Sequence, residues 1–166
     1  MVKFAQTRPN FEKIHHMDKT DIKLIQAVQD DSRQTLAQLS QRCATSPSSV
    51  ARRLKRLEDD GVIAGYTATV SPAGLGFKQD IFVEVTLRGQ DGASMAAFEA
   101  AIAGVRQVLS CWLMSGEFDY LVRVVARDAG DYEQLHRHLS QLPGVQRLRS
   151  SFSLRQVLWR QIQPTY

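Results

Sequence analysis

Residues 35–61 read TLAQLSQRCATSPSSVARRLKRLEDDG, and this stretch decides how the chain is organised. Thr35 is a cap residue, and Leu36, Leu39 and Cys43 then fall on one face of a short helix. Ala44, Thr45 and Ser46 form a tight turn. Ser46 can accept from the next free backbone N–H groups, and Pro47 takes the first helical position, where its missing donor costs nothing. Val50, Leu54 and Leu57 follow at i, i+4 and i+7, one apolar stripe facing a small core. Gly61 ends this second helix with the φ freedom that a position just past a helix needs. The spacing therefore predicts a helix-turn-helix. Ser48, Ser49, Arg52, Arg53 and Arg56 are read on the outer face of its second helix, and the span from Arg42 to Arg56 holds five basic side chains and no acid. Guanidinium groups fork onto guanine edges or phosphates, and a major groove accepts such a helix. A run of arginines is also what a merely solvated face looks like, so the neighbouring segments matter.

Upstream, residues 18–29 predict a third amphipathic helix through Ile22, Ile25 and Val28. Three short helices, the last of them basic, make a small tri-helical or winged DNA-binding domain over 17–62. Residues 1–16 carry no period and read as an arm. His15 and His16 are adjacent with no matched third ligand, so no metal site is expected there. After Gly61 the chain turns extended and apolar, predicting a linking strand and loop over 63–79.

The second half alternates strand and helix signals. Ile81, Val83, Val85 and Leu87 alternate with Phe82, Glu84 and Thr86, the period of a strand with one buried face. Residues 93–103 predict a helix with Met95, Phe98 and Ile102 on one face. Runs 105–114 and 118–126 are extended and joined by Ser115-Gly116-Glu117, so they should pair as a hairpin. Residues 131–142 predict a second helix through Tyr132, Leu135, Leu139 and Leu142, and Pro143-Gly144 stops it before a last strand over 145–157. The order β-α-β-β-α-β is that of the ferredoxin-like sandwich, two helices on one face of an antiparallel sheet. The fold class is thus α+β, a helix-turn-helix domain followed by a ferredoxin-like domain over 80–158 and a tail over 159–166. The sheet's other face carries apolar residues, and stacking with a second copy is the economical way to cover it.

Composition is compatible with this reading. With 21 Lys and Arg against 17 Asp and Glu the net charge is +4, mild for a polyanion binder, and 43% hydrophobic residues suffice for real cores. Neither a membrane span nor a secretion signal is evident, so a cytoplasmic location is expected. Cys43 and Cys111 are read as core residues without metal or redox spacing. His136 and His138 are two apart on a helix and point to different faces. Glu117 and Asp119 lack a partner nucleophile, and no P-loop, GxGxxG, HExxH or GxSxG is present, so no catalytic residue is assigned and no enzyme is expected.

The chain resembles the Lrp/AsnC, or feast/famine, transcription regulators in both halves and in the same order, over about residues 17–158. The carriers are Met17-Asp18-Lys19-Thr20-Asp21, Ser46-Pro47-Ser48-Ser49-Val50, Gly61-Val62-Ile63-Ala64-Gly65-Tyr66, Ser115-Gly116-Glu117-Phe118-Asp119-Tyr120 and Leu142-Pro143-Gly144-Val145. The resemblance implies a DNA-binding domain, a linking strand near 63–70, and a C-terminal domain that assembles dimers, commonly into a ring of four. It also implies an amino acid or related small metabolite bound between dimers, with no further cofactor. Met114, Ser115, Gly116, Glu117, Phe118, Asp119 and Tyr120 would line one wall of that site, and Ser150, Ser151, Phe152 and Ser153 the other. A free amino acid needs N–H donors for its carboxylate and acceptors for its ammonium. Gly116 allows close backbone approach, and Asp119 offers an acceptor. The last strand departs from the family pattern, which has threonines near Leu148 and Ser150. On the DNA side, Ser48, Ser49 and Arg52 are expected to read bases and Ser46 to stand at the helix start beside them, with Arg42, Arg53 and Arg56 anchoring phosphates. Two other readings stay open, an effector-independent nucleoid-structuring protein and a dimeric ferredoxin-like enzyme.

Overall fold

The computed structural model describes residues 17–162 and 164, so the expected arm over 1–16, with His15 and His16, lies outside the described residues. The chain divides into two compact units, one formed by residues 17–68 with the C-terminal residues from Trp159, the other by Thr69–Leu158.

The first unit contains α1 (Lys19–Asp30), α2 (Leu36–Cys43) and α3 (Pro47–Asp59). Local chemistry starts each helix. Asp18 caps α1 and Asp21 reaches back to the Asp18 N–H, a reciprocal capping box; Thr35 and Gln38 repeat the device on α2, and Ser46 with Pro47 opens α3. Between α2 and α3, Ala44 adopts the left-handed conformation at φ 52°, so that the Thr45 N–H reaches the Ser40 carbonyl. Gly61, at φ 73°, stands just past α3 as the sequence predicts. The core gathers Leu24, Ile25, Ala27, Leu39, Cys43, Val50 and Leu57, with Val28, Leu54 and Ile63 packed against it. Leu24 and Ala27 are fully buried although the expected stripe omitted them, and Leu36, expected inside, is 43% exposed at the first turn of α2.

No strand forms over 63–70. The Ile63 N–H donates to the Leu57 carbonyl, and beyond it the backbone is extended without a strand beside it among the described residues; Tyr66 and Val70 are exposed. An extended run becomes a strand only when a neighbour takes its N–H and C=O groups, and the described residues supply no such neighbour.

The second unit is β1 (Gln79–Leu87), α4 (Gly92–Ile102), β2 (Val108–Leu113), β3 (Tyr120–Ala126), α5 (Ala129–Ser140) and β4 (Val145–Phe152), in the β-α-β-β-α-β order read from sequence. The sheet order is β2-β3-β1-β4 and every pairing is antiparallel. Ile81, Val83, Val85 and Leu87 point to the helix side, where Phe98 and Ile102 of α4 and Leu135 and Leu139 of α5 close the core. Phe98 packs on Tyr120 with ring centroids 4.7 Å apart. The last strand stops at Phe152 rather than Val157: Ser153 still donates its N–H to the Asp80 carbonyl, but the residues after it do not pair with β1, and Leu154, Val157 and Leu158 are exposed. Cys111, read as a core residue, is exposed on the edge strand β2.

Candidate functional site

The arginines of α3 differ in what they can do. A helix turns about 100° per residue, so Arg53 lies only about 60° around from Val50, at the border of the buried stripe rather than on the outer face. Its guanidinium turns back to the start of α1, donating from Nη1 to Asp21 Oδ1 at 2.7 Å and to Asp18 Oδ2 at 2.8 Å, and its side chain is 19% exposed. Arg56 donates to the other oxygen of Asp21 at 2.5 Å but remains 46% exposed. Asp21 itself is buried, and its Oδ2 also accepts the Asp18 N–H. The Asp21 backbone N–H, followed by Arg53, holds the Asp18 carboxyl below its ordinary value, and bonding to Asp21 and Asp18 raises the pKa of Arg53.

Arg53 is therefore corrected from a phosphate anchor to a tie between α1 and α3. Arg42 is exposed and paired with Asp30, while Lys55 pairs with Asp59 one turn on. Of the five basic side chains between Arg42 and Arg56, Arg52 alone makes no hydrogen bond or ion pair to a described residue. It is exposed, as are Ser46 and Ser48; Ser49 is half-buried. Ser46 Oγ caps the Ser49 N–H and lies 3.1 Å from Ser48 Oγ. Ser48, Ser49 and Arg52 thus share the solvent side of α3 near its N-terminus. Asp21 was missed as a determinant of this surface; its signal in the sequence was the Asp18, Asp21 spacing of a capping box, with arginines opposite.

In the second unit the expected effector residues do not form one pocket within a chain. Met114, Ser115, Gly116 and Glu117 are exposed in the β2–β3 connection, and Phe118 is half-buried. Asp119 is buried and its carboxylate is already engaged: Oδ2 accepts the Leu87 N–H and Oδ1 accepts Gln90 Nε2, each at 2.7 Å. It stitches this connection to the loop after β1, which corrects its reading as an open ammonium acceptor. Tyr120 is buried, and its hydroxyl donates to Glu99 at 2.8 Å; burial first, then that bond, raises its pKa.

The second wall lies elsewhere on the sheet. Tyr120 pairs with Val85, whereas Ser150, Ser151 and Phe152 pair with Val83, Phe82 and Ile81 across the other edge of β1. Two residues along and two strands across separate Tyr120 from Ser150 by roughly 12 Å, and Ser153 is farther still. Alternation splits this wall as well. Ser150 and Phe152 share the helix side, where Tyr132 of α5 hydrogen-bonds Ser150 and meets the Phe152 ring edge-on, while Ser151 faces the opposite side.

Both halves match known domains. Residues 17–64 match the winged helix-turn-helix DNA-binding domain and residues 80–161 the Lrp/AsnC ligand binding domain. The Bkd operon transcriptional regulator of Pseudomonas aeruginosa is 36% identical over 149 residues, covering 89% of this chain and 97% of that protein. The chain belongs to the Lrp/AsnC family of transcriptional regulators. Among solved members, a Neisseria meningitidis transcriptional regulator in complex with L-Met is 36% identical with a TM-score of 0.81, over 86% of this chain and 93% of that one. A feast or famine regulatory protein from Mycobacterium tuberculosis, complexed with L-methionine, is 31% identical with a TM-score of 0.78, over 89% of this chain and 99% of that one. As an Lrp/AsnC regulator the chain carries its DNA-binding unit first and its α+β unit second. No described helix is long and apolar enough to cross a membrane.

Proposed function

We propose that this Lrp/AsnC regulator binds double-stranded DNA sequence-specifically through the outer face of α3. Ser48, Ser49 and Arg52 read base edges, and Arg42 and Arg56 anchor phosphates by exchanging their acid partners for the DNA backbone. The observation that carries this reading is the exposed Arg52, without a partner among the described residues, beside two serines at the start of a well-capped helix whose neighbouring arginines are all paired. A two-fold dimer would offer two such helices to half-sites about one DNA turn apart.

The effector is an amino acid or a close relative, as in the two L-methionine complexes of relatives, and its site is built between copies of the chain, in dimers that assemble further. Two features support assembly from copies. The hairpin wall and the β4 wall stand apart within one chain, and β2 with its following residue leaves Leu109, Trp112, Leu113 and Met114 exposed at a sheet edge. With Asp119 already engaged, backbone groups of 115–118 and the carboxylate of Glu117 are the groups left to meet the ligand.

A thermal-shift screen against the proteinogenic amino acids tests the effector. A ligand at about 100 times its Kd stabilises by roughly 2.7 kcal/mol, and the shift should be selective and smaller in Glu117→Ala. The prior engagement of Asp119 favours one rival, an effector-independent architectural DNA binder. The absence of any shift, together with steep salt dependence on all DNA, would support it.

A further inference from the structure

We infer that Asp21, which touches no DNA in this scheme, governs the specificity of the reader helix by withholding Arg53 from the DNA backbone and releasing Arg56 only by exchange. The inference rests on the proposal that α3 is the DNA-reading helix. Its basis is the geometry between α1 and α3. The Asp21 carboxylate, 1% exposed, uses one oxygen for Arg53 at 2.7 Å and the other for Arg56 at 2.5 Å. Arg53 is further clamped by Asp18, so its guanidinium is held by two acids and turning it outward would break both ion pairs, whereas the cap itself uses the other oxygens of Asp18 and Asp21. Arg56 is held by one acid only and is nearly half exposed, which lets a phosphate compete for it.

This arrangement bears on discrimination. Binding to any DNA grows with the number of phosphates that basic side chains neutralise, whereas sequence is read by groups that reach base edges. Asp18 and Asp21 together hold Arg53 back, so of these two arginines only Arg56, by exchange, adds sequence-independent attraction. Arg52, at the outer face, keeps its charge free. Asp21 also orients α3, because its carboxylate belongs at once to the α1 capping box and to the two α3 arginines. One buried acid thus suppresses indiscriminate binding and fixes the reading surface.

The test uses the full chain, a short mixed-sequence duplex, and a site that the wild type itself selects from a randomised duplex pool. Affinity is followed from about 50 to 200 mM salt. Asp21→Asn, close in shape, should steepen the log–log salt dependence on mixed-sequence DNA by about 0.9 for each arginine freed to contact phosphate. It should also narrow the preference for the selected site by about tenfold, the worth of one base contact. An independent pair of variants covers the case in which Asp21→Asn does not fold. Arg56→Gln should lower the wild-type slope by about 0.9, and Arg53→Gln should leave it unchanged. Asp21→Asn weakening both DNAs in equal proportion at the wild-type slope, or Arg53→Gln lowering the slope as much as Arg56→Gln, overturns the inference. A wild type that selects no site from the pool would overturn the reading of α3 itself.

Discussion

The two units solve the problem of presenting a site in opposite ways. On α3 the residues proposed to read bases come from about one turn and a half of one helix, already gathered on one side by the 3.6-residue period. In the ferredoxin-like unit the proposed effector walls come from a hairpin connection and an edge strand, separated by β1 and split across the two faces of the sheet. The first surface lies within one chain, while the second, in the function proposed above, has its walls brought together by another copy. The polar groups also differ in commitment. Arg52 has no partner among the described residues, whereas Asp119, in the middle of the hairpin wall, is buried and spent on Leu87 and Gln90.

The largest expected effect sharpens that contrast. Asp119→Ala strands the buried Leu87 N–H and releases the exposed Gln90, and should lower the stability of the unit by about 1–3 kcal/mol, while Glu117→Ala, at an exposed position in the same connection, should stay within about 0.5 kcal/mol. Thermal or denaturant unfolding of the two variants reads this directly. Equal and small effects would mean that Asp119 is available to a ligand after all.

A smaller effect of opposite sign is expected in the first unit. Ala44 sits at positive φ in the helix-turn-helix turn, where a side chain is strained and glycine is not. Ala44→Gly should therefore stabilise by roughly 0.5–1 kcal/mol, read as a rise in the midpoint of unfolding. An unchanged or lowered midpoint would show that the strain is offset elsewhere in the turn.

The smallest effect is in acid. The Asp21 backbone N–H, then Arg53, depresses the pKa of Asp18 in the folded chain. Its stabilising contribution is thus present above its ordinary pKa near 3.8 and is lost as pH falls through the lower folded value. Asp18→Asn, which keeps the helix cap, should lose less stability than wild type on acidification below about pH 4. Parallel losses would remove Asp18 from the account. The effect is small because Asp18 is half exposed and screened.

What could be read from the sequence follows the same division. Local periodicity disclosed α3 with its cap, proline and closing glycine, and the β-α-β-β-α-β order, because each element's own residues decide it. The larger departures concern groups whose partners are distant in sequence. Residues 63–70 are extended as expected but have no strand beside them among the described residues, and β4 ends five residues early because, once Ser153 has bonded Asp80, residues 154–157 pair no further with β1. Arg53 looked like one more basic side chain until its angle to Val50 and the two acids at the start of α1 were set beside it. Asp119 looked like an open acceptor because Leu87 and Gln90 are about thirty positions away. A helix face is written in a short stretch; the occupancy of a carboxylate is not.

The measurement that tests the central claim most directly compares wild type with Arg52→Ala on the wild-type-selected site and on mixed-sequence duplex at one salt concentration. If α3 reads bases through its one unpaired arginine, Arg52→Ala costs about 1–3 kcal/mol on the selected site and much less on mixed-sequence DNA, with unfolding unchanged. Equal losses on the two DNAs would contradict it, leaving Arg52 as one more phosphate contact and the reading of sequence to some other part of the chain.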